Sequence, residues 1–266
     1  VHNAHGLEAL AEQLQNASTK PQMQLFDHVV DITLEPSKWL IQEILPEYAM
    51  TALVAPSYTG KSYMAVDMAC AIANGLSWHH GFDVSHGNVF YIIGEGRHGI
   101  RRRVDAWHRN RGVTVTRETT NLHFSRQGLN FRDKSNIKVI ESDMRLVGNI
   151  KLIVIDTLAR SFGGGNEKAP QDMGEFINNC DDLMHEFGST VLIVHHTGKD
   201  SSAGSRGHSS FFGALDTCIT LKRVGQHDLL LQCEKQKDAP EFDDLQFCFL
   251  TLSGEDDTPV LEKVET

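Results

Sequence analysis

The stretch of this 266-residue chain with the clearest chemistry runs Ala55-Pro56-Ser57-Tyr58-Thr59-Gly60-Lys61-Ser62, followed by Tyr63. A short apolar run, Met50–Val54, precedes it, and a helix-forming run, Lys61–Asn74, follows. Backbone N–H groups turned around a helix N-terminus surround a β-phosphate. A lysine ammonium there meets the β and γ oxygens, and a serine hydroxyl ligates Mg²⁺. These residues in this order predict a P-loop: Ala55–Tyr63 cradle phosphates, Lys61 also serves hydrolysis, and Ser62 holds the metal. One position departs from the usual pattern. The first glycine is Ala55, and alanine tolerates positive φ poorly. A chance Gly-Lys-Ser turn is the bland alternative, and the strand before and helix after argue against it.

Three further strand ends carry polar groups. Leu152-Ile153-Val154-Ile155 delivers Asp156, a carboxylate at the sheet edge where ligands of α/β proteins sit, which predicts a Mg²⁺ partner for Ser62. The alternative for Asp156 is a cap after a strand. Val89–Ile93 runs into Gly94-Glu95-Gly96. Hydrolysis needs a base or positioner for water in line with a γ-phosphate, and Glu95 is the candidate; a surface glutamate in a turn is the alternative. Val191–Val194 leads into His195-His196. Neighbouring strand residues point to opposite faces, so these two do not share a metal, and one of them could sense a γ-phosphate. His79-His80 has no such context and reads as a surface turn.

The elements that must position these groups follow from apolar patterning. Strands are expected at Met50–Val54, Val89–Ile93, Leu122–Phe124, Leu152–Ile155 and Val191–Val194, several of them apolar at every position, as in parallel strands buried on both faces. Helices are expected between them at Lys61–Asn74, Ile100–Arg109, Ile137–Val147 and Gln171–Phe187. This alternation predicts an α/β fold with a mostly parallel, twisted sheet flanked by helices. Cys218–Lys222, Leu229–Cys233 and Leu245–Leu252 read as an antiparallel C-terminal extension. Residues 1–36 form a peripheral or linker segment with a short amphipathic helix at Gly6–Gln15, and 37–266 form the main domain. That the chain opens with Val1 is expected of a piece of a longer protein.

The net charge of −10 excludes a protein that coats nucleic acid by bulk electrostatics, so any such contact is local. Five scattered cysteines without ligand spacing read as reduced thiols of a cytoplasmic protein. No apolar run reaches the ~20 residues of a membrane span.

With these motifs in place, the chain resembles RecA-like ATPases, and more closely the hexameric replicative helicases of the plasmid and phage RepA kind. The resemblance spans roughly Trp39–Leu252. Its more specific part is His195-His196-Thr197-Gly198-Lys199, Ser205-Arg206-Gly207-His208-Ser209-Ser210, and Glu234-Lys235-Gln236-Lys237-Asp238-Ala239-Pro240. It implies ATP and Mg²⁺ as cofactors, a ring of identical subunits with ATP between them, single-stranded DNA in the channel, and a primase or other replication proteins as partners. It also implies a bacterial host cytoplasm as the compartment. By the same resemblance Glu95 is the catalytic glutamate, His196 the γ-phosphate sensor, and Arg206 an arginine finger for the neighbour's nucleotide. Lys235 and Lys237 resemble the lysine pair that meets a γ-phosphate across the interface; a solvated edge that blocks strand pairing is the other reading. The loops Ser161–Pro170 and Gly198–Ser210, with Lys168 and Lys199, correspond to the DNA-gripping loops, Phe162 and Phe211-Phe212 being their aromatic residues. The basic stretch from Arg97 to Arg117 reads as a helix face paired with acids. Competing functions are a recombinase-type filament ATPase and a nucleotide-gated assembly protein without helicase activity.

Overall fold

The computed structural model describes residues 29–31, 36–94, 96–196, 209–251 and 257–264. Glu95, Thr197–His208 and the Gly6–Gln15 stretch lie outside the described residues. Before Pro36 the described part is a single 3-10 turn, Val29–Asp31. The unit that carries the site is Ser37–Thr266.

A short antiparallel hairpin, β1 (Trp39–Ile41) and β2 (Leu45–Pro46), precedes the main sheet. The sheet is built from β3 (Met50–Ala55), β4 (Asn88–Ile93), β5 (Leu122–Phe124), β6 (Ile150–Asp156) and β7 (Thr190–His196). It continues with β8 (Thr217–Arg223), β9 (Asp228–Gln236), β10 (Leu245–Thr251) and β11 (Pro259–Lys263). Their order across the sheet is β11-β10-β9-β8-β3-β7-β6-β4-β5. From β8 to β5 every pairing is parallel, and from β8 to β11 every pairing is antiparallel. The helices are α1 (Lys61–Asn74), α2 (Arg97–Arg111), α3 (Lys134–Val147), α4 (Leu158–Ser161), α5 (Pro170–Phe187) and α6 (Ser209–Ala214). The expected mostly parallel sheet with an antiparallel extension is therefore the observed architecture. The hairpin, β11, α4 and α6 have too few residues to show a period, and the sequence does not announce them.

Two cores fill the two faces of the sheet, and the split follows strand alternation. On one face Leu53, Val89, Tyr91, Leu152, Val154, Leu192 and Val194 pack under α1 and α2. On the other, Ala52, Val54, Ile153, Ile155, Val191 and Ile193 pack under α3 and α5. This alternation decides where the strand-end groups point. Asp156 continues the series Leu152, Val154, and His196 continues Leu192, Val194, so both belong to the α1 face. His195 belongs to the other, where its ring lies 5.6 Å from that of Phe211. Phe162, expected in a DNA-facing loop, is buried between Arg132 and Phe176 and is a core residue.

Candidate nucleotide site

β3 lies between β7 and β8 and is buried at all six positions. It runs directly into the turn Pro56–Gly60 and then α1, so the turn sits at the sheet's C-terminal edge. Ala55 ends the strand, paired with His196. It is not among the positive-φ residues, so the missing first glycine costs no strain at that position. The left-handed positions fall later, at Tyr58 (φ 62°) and Gly60 (φ 115°). Gly60 is required on two counts: a Cβ there would stand 2.9 Å from Phe249 Cζ, at a φ that side chains rarely adopt. Tyr58 has no such excuse. A non-glycine residue held in this region costs ~1–2 kcal/mol, and its ring is 98% exposed.

Lys61, only 4% exposed, folds back over the turn and donates to Ala55 O at 2.8 Å and Pro56 O at 2.6 Å. Burial pulls its pKa from 10.5 down to about 8, with Asp156 acting in the opposite direction. It remains mainly an ammonium at neutral pH. Thr59 Oγ1 donates to Pro56 O at 2.9 Å and stiffens the turn from within. Ser62 and Tyr63 are half-buried in the first turn of α1. The Tyr63 ring meets Phe249 edge-on, 5.1 Å away, and lies under the Arg103 guanidinium at 4.3 Å.

Asp156, 5% exposed, accepts a 2.6 Å hydrogen bond from the Tyr91 hydroxyl on the neighbouring strand β4. Burial, then the Asp156 charge, pushes the Tyr91 phenol well above its ordinary value, so it acts as a fixed donor. Tyr91 is the residue that sequence reasoning missed. Its signal was available: a hydroxyl inside the buried run Val89-Phe90-Tyr91-Ile92-Ile93 needs an acceptor. His196 Nδ1 stands 3.4 Å from Ser57 Oγ. The structure thus brings Ala55–Tyr63, Asp156 and His196 together on one face of one sheet edge. A buried lysine, a nearby buried carboxylate and a glycine turn closed to a Cβ fit a magnesium-bound triphosphate, with Lys61 for the phosphates and Ser62 with Asp156 for the metal.

Lys235 and Lys237 lie elsewhere. β9 runs antiparallel to β8, and Thr217 pairs with both Thr51 and Gln236, so the end of β9 reaches the N-terminal edge of β3. The Lys235 ammonium binds the last carbonyls around α6: Phe212 O at 3.0 Å, Gly213 O at 3.5 Å, and Leu215 O. Lys237 pairs with Asp216 at 3.4 Å and is 61% exposed. Lys168 is exposed in the turn before α5, its N–H bonded to Asn166 Oδ1. Lys199, Arg206 and Glu95 fall outside the described residues.

Two expectations need correction. His79 is not a surface residue: it is buried, and its Nε2 lies 2.7 Å from Asp67 Oδ2. The same carboxylate accepts from Trp78 Nε1 at 2.5 Å and Trp107 Nε1 at 2.8 Å, which ties α1 to the following loop and to α2. Nor is the arginine-rich helix face mainly paired with acids. Arg101 pairs with Asp105, but Arg103 covers Tyr63, Arg97 donates to Arg126 O, and Arg111 lies over Trp107 and beside His80.

The profile of the AAA domain family matches residues 15–202, more than half of the chain and all of the turn, Asp156 and His196. The chain belongs to the AAA domain family. As an AAA domain it is an ATPase-type, nucleotide-binding chain. The AAA domain is also similar in fold to a solved helicase ATPase domain, with a TM-score of 0.62, 10% identity, and 99% of each chain covered. That likeness places it among RecA-like P-loop folds. No curated protein sequence matches the chain. Among the described residues no helix is long and apolar enough to cross a membrane.

Proposed function

We propose that this chain is the ATPase motor of a ring-forming replicative helicase of the RepA kind, a hexamer that hydrolyses ATP between subunits while moving along single-stranded DNA. The observation that carries the reading is the position of Lys237. β3 rises ~3.3 Å per residue, so Thr51, beside the end of β9, and Ala55, beside the phosphate turn, are about 13 Å apart. A cation at the N-terminal edge therefore cannot serve the chain's own nucleotide. It can serve one held by a second copy packed head to tail, and repeated head-to-tail contacts of one kind close into rings.

Within the cis site, Lys61 and the turn hold the phosphates, and Ser62 with Asp156 holds the ion. His196, on the strand beside the turn, reports the γ end, and Glu95 activates water. When bound, Mg²⁺ supplies neutralisation of charge on the phosphate oxygens. Arg206 from the neighbour is the finger, an interaction worth ~10³–10⁵ in rate. Lys168 and Lys199 sit in segments following β6 and β7, and we assign them to DNA. Residues 1–36 serve as the linker and 37–266 as the motor.

The test is steady-state ATP hydrolysis with and without single-stranded DNA, on protein sized by light scattering in the presence of nucleotide. Strong stimulation with a ring-sized particle is expected. Open polymers on DNA would indicate a recombinase-type filament, and turnover indifferent to DNA would remove the motor. A mixing experiment checks site sharing. Arg206→Ala and Lys61→Ala subunits are each inactive alone, and a mixture recovers hydrolysis at intact interfaces. No recovery in confirmed mixed assemblies would refute action in trans.

A further inference from the structure

The groups for the γ end of a triphosphate all lie to one side of β3. His196 is on β7, Asp156 on β6 and Tyr91 on β4, in that order outward from β3. A nucleotide whose γ-phosphate points that way must send its sugar and base to the other side, over the end of β8. There the structure has an open cleft of about 650 Å³, lined by Pro56, Ser57, Tyr58, Thr59, Lys222 and Arg223. Its size is within the ~300–1,000 Å³ of small-molecule sites. One wall is the phosphate turn itself, so cleft and turn are continuous.

Arg223 is the group in this cleft built to meet a flat ligand. Alternation from Ile219 and Leu221 puts it on the α1 face, the face that carries Lys61 and Asp156. Its guanidinium lies over the Phe249 ring at 5.6 Å, and its Nη1 donates to Gln226 O at 2.6 Å in the β8–β9 turn. Phe249 is in turn fixed against Gly60 and Tyr63. The guanidinium plane is thus supported by an aromatic ring and a main-chain acceptor before any ligand arrives. Arginine planes accept nucleobases by stacking as aromatic rings do. The described lining has no Asp, Glu, Asn or Gln, the side chains that could accept from a base's amino groups; the hydroxyl of Thr59 is already committed to Pro56 O.

We propose that this cleft is the nucleoside subsite of the P-loop, that Arg223, backed by Phe249, holds the base by stacking, and that the site accepts all four nucleoside triphosphates. The proposal rests on the reading of the turn as a nucleotide site and extends it to base choice.

The experiment is equilibrium binding in EDTA, where hydrolysis is arrested, with ATP, GTP, CTP, UTP and inorganic tripolyphosphate. The wild type should bind the four nucleotides within about threefold of one another. Stacking on a base is worth ~1–3 kcal/mol, so Arg223→Ala should weaken all four by about tenfold or more. Tripolyphosphate has no base, and its affinity should be unchanged, which also reports an intact turn. Arg223→Lys keeps the charge but not the plane and should behave as the alanine variant does. The proposal is overturned by a preference above tenfold for one base, by an Arg223→Ala protein that binds nucleotides as the wild type does, by an equal loss for tripolyphosphate, or by rescue with lysine. If the wild type binds neither nucleotides nor tripolyphosphate, or Lys61→Ala binds both undiminished, the nucleotide reading itself fails and takes this subsite with it.

Discussion

The buried ammonium of Lys61 should leave a pH signature that separates a phosphate lysine from an ordinary structural one. Its pKa is lowered from 10.5 to about 8 by burial, Asp156 offsetting part of the effect. At about 1.4 kcal/mol per unit, that difference between native and unfolded chains corresponds to about 3 kcal/mol. The direction follows from proton counting. Between pH 8 and 10.5 the unfolded lysine carries a proton that the native one lacks, so native stability rises with pH over this window. Below pH 8 both forms are protonated and the cost is constant. Other groups titrate in the same range, so the quantity to measure is the wild type minus Lys61→Met, by denaturant unfolding at a series of pH values. Methionine matches the stem and removes the charge. The difference should climb by about 3 kcal/mol from pH 8 to pH 10.5. A bound triphosphate should flatten the climb, because the polyanion holds the proton on Lys61. Nucleotide affinity should correspondingly fall by up to ~10-fold per pH unit above 8. A wild-type-minus-variant difference that is flat in pH, with and without nucleotide, would refute the buried-ammonium argument.

Gly60→Ala should abolish nucleotide binding while leaving secondary structure by circular dichroism, because the new Cβ meets Phe249 at 2.9 Å at a φ of 115°; retained wild-type affinity would show that the turn adapts. Tyr91→Phe removes the donor that holds Asp156, and should cost ~1–3 kcal/mol in stability and raise the Mg²⁺ concentration needed for half-maximal hydrolysis. An unchanged Mg²⁺ dependence would mean that Asp156 is oriented without it. Asp67→Ala strands the N–H groups of Trp78 and Trp107 and the ring of His79 in the interior, and thermal unfolding should show a loss above ~3 kcal/mol. A loss under about 1 kcal/mol would deny that this carboxylate ties α1 to α2.

The division between what the chain announces and what packing decides can be read from particular residues. The strands Met50–Ala55, Ile150–Asp156 and Thr190–His196 were legible because burial on both faces demands unbroken apolar runs, and their polar last residues stand out against them. The turn and the first residues of α1 were legible because backbone anion binding depends on local sequence alone. Period two then forces Asp156 and His196 onto one face and His195 onto the other.

What remained hidden involves partners distant in sequence. Asp67 and His79 are twelve residues apart, and neither has a pattern that names the other; only the docking of α2 by Trp107 encloses them. Phe249 makes Gly60 obligatory from a strand far along the chain. Lys235 looks like any exposed strand-end lysine until α6 folds back and offers its carbonyls. Arg223 gains its supported plane only when β10 places Phe249 beneath it. The sequence by itself determined the phosphate chemistry and the sheet that presents it, because both rest on local backbone geometry and strand period. The tertiary structure decided the cleft beside the turn, the donor on Asp156, and which lysine faces outward, because burial and hydrogen-bond pairing are settled between strands and not along one.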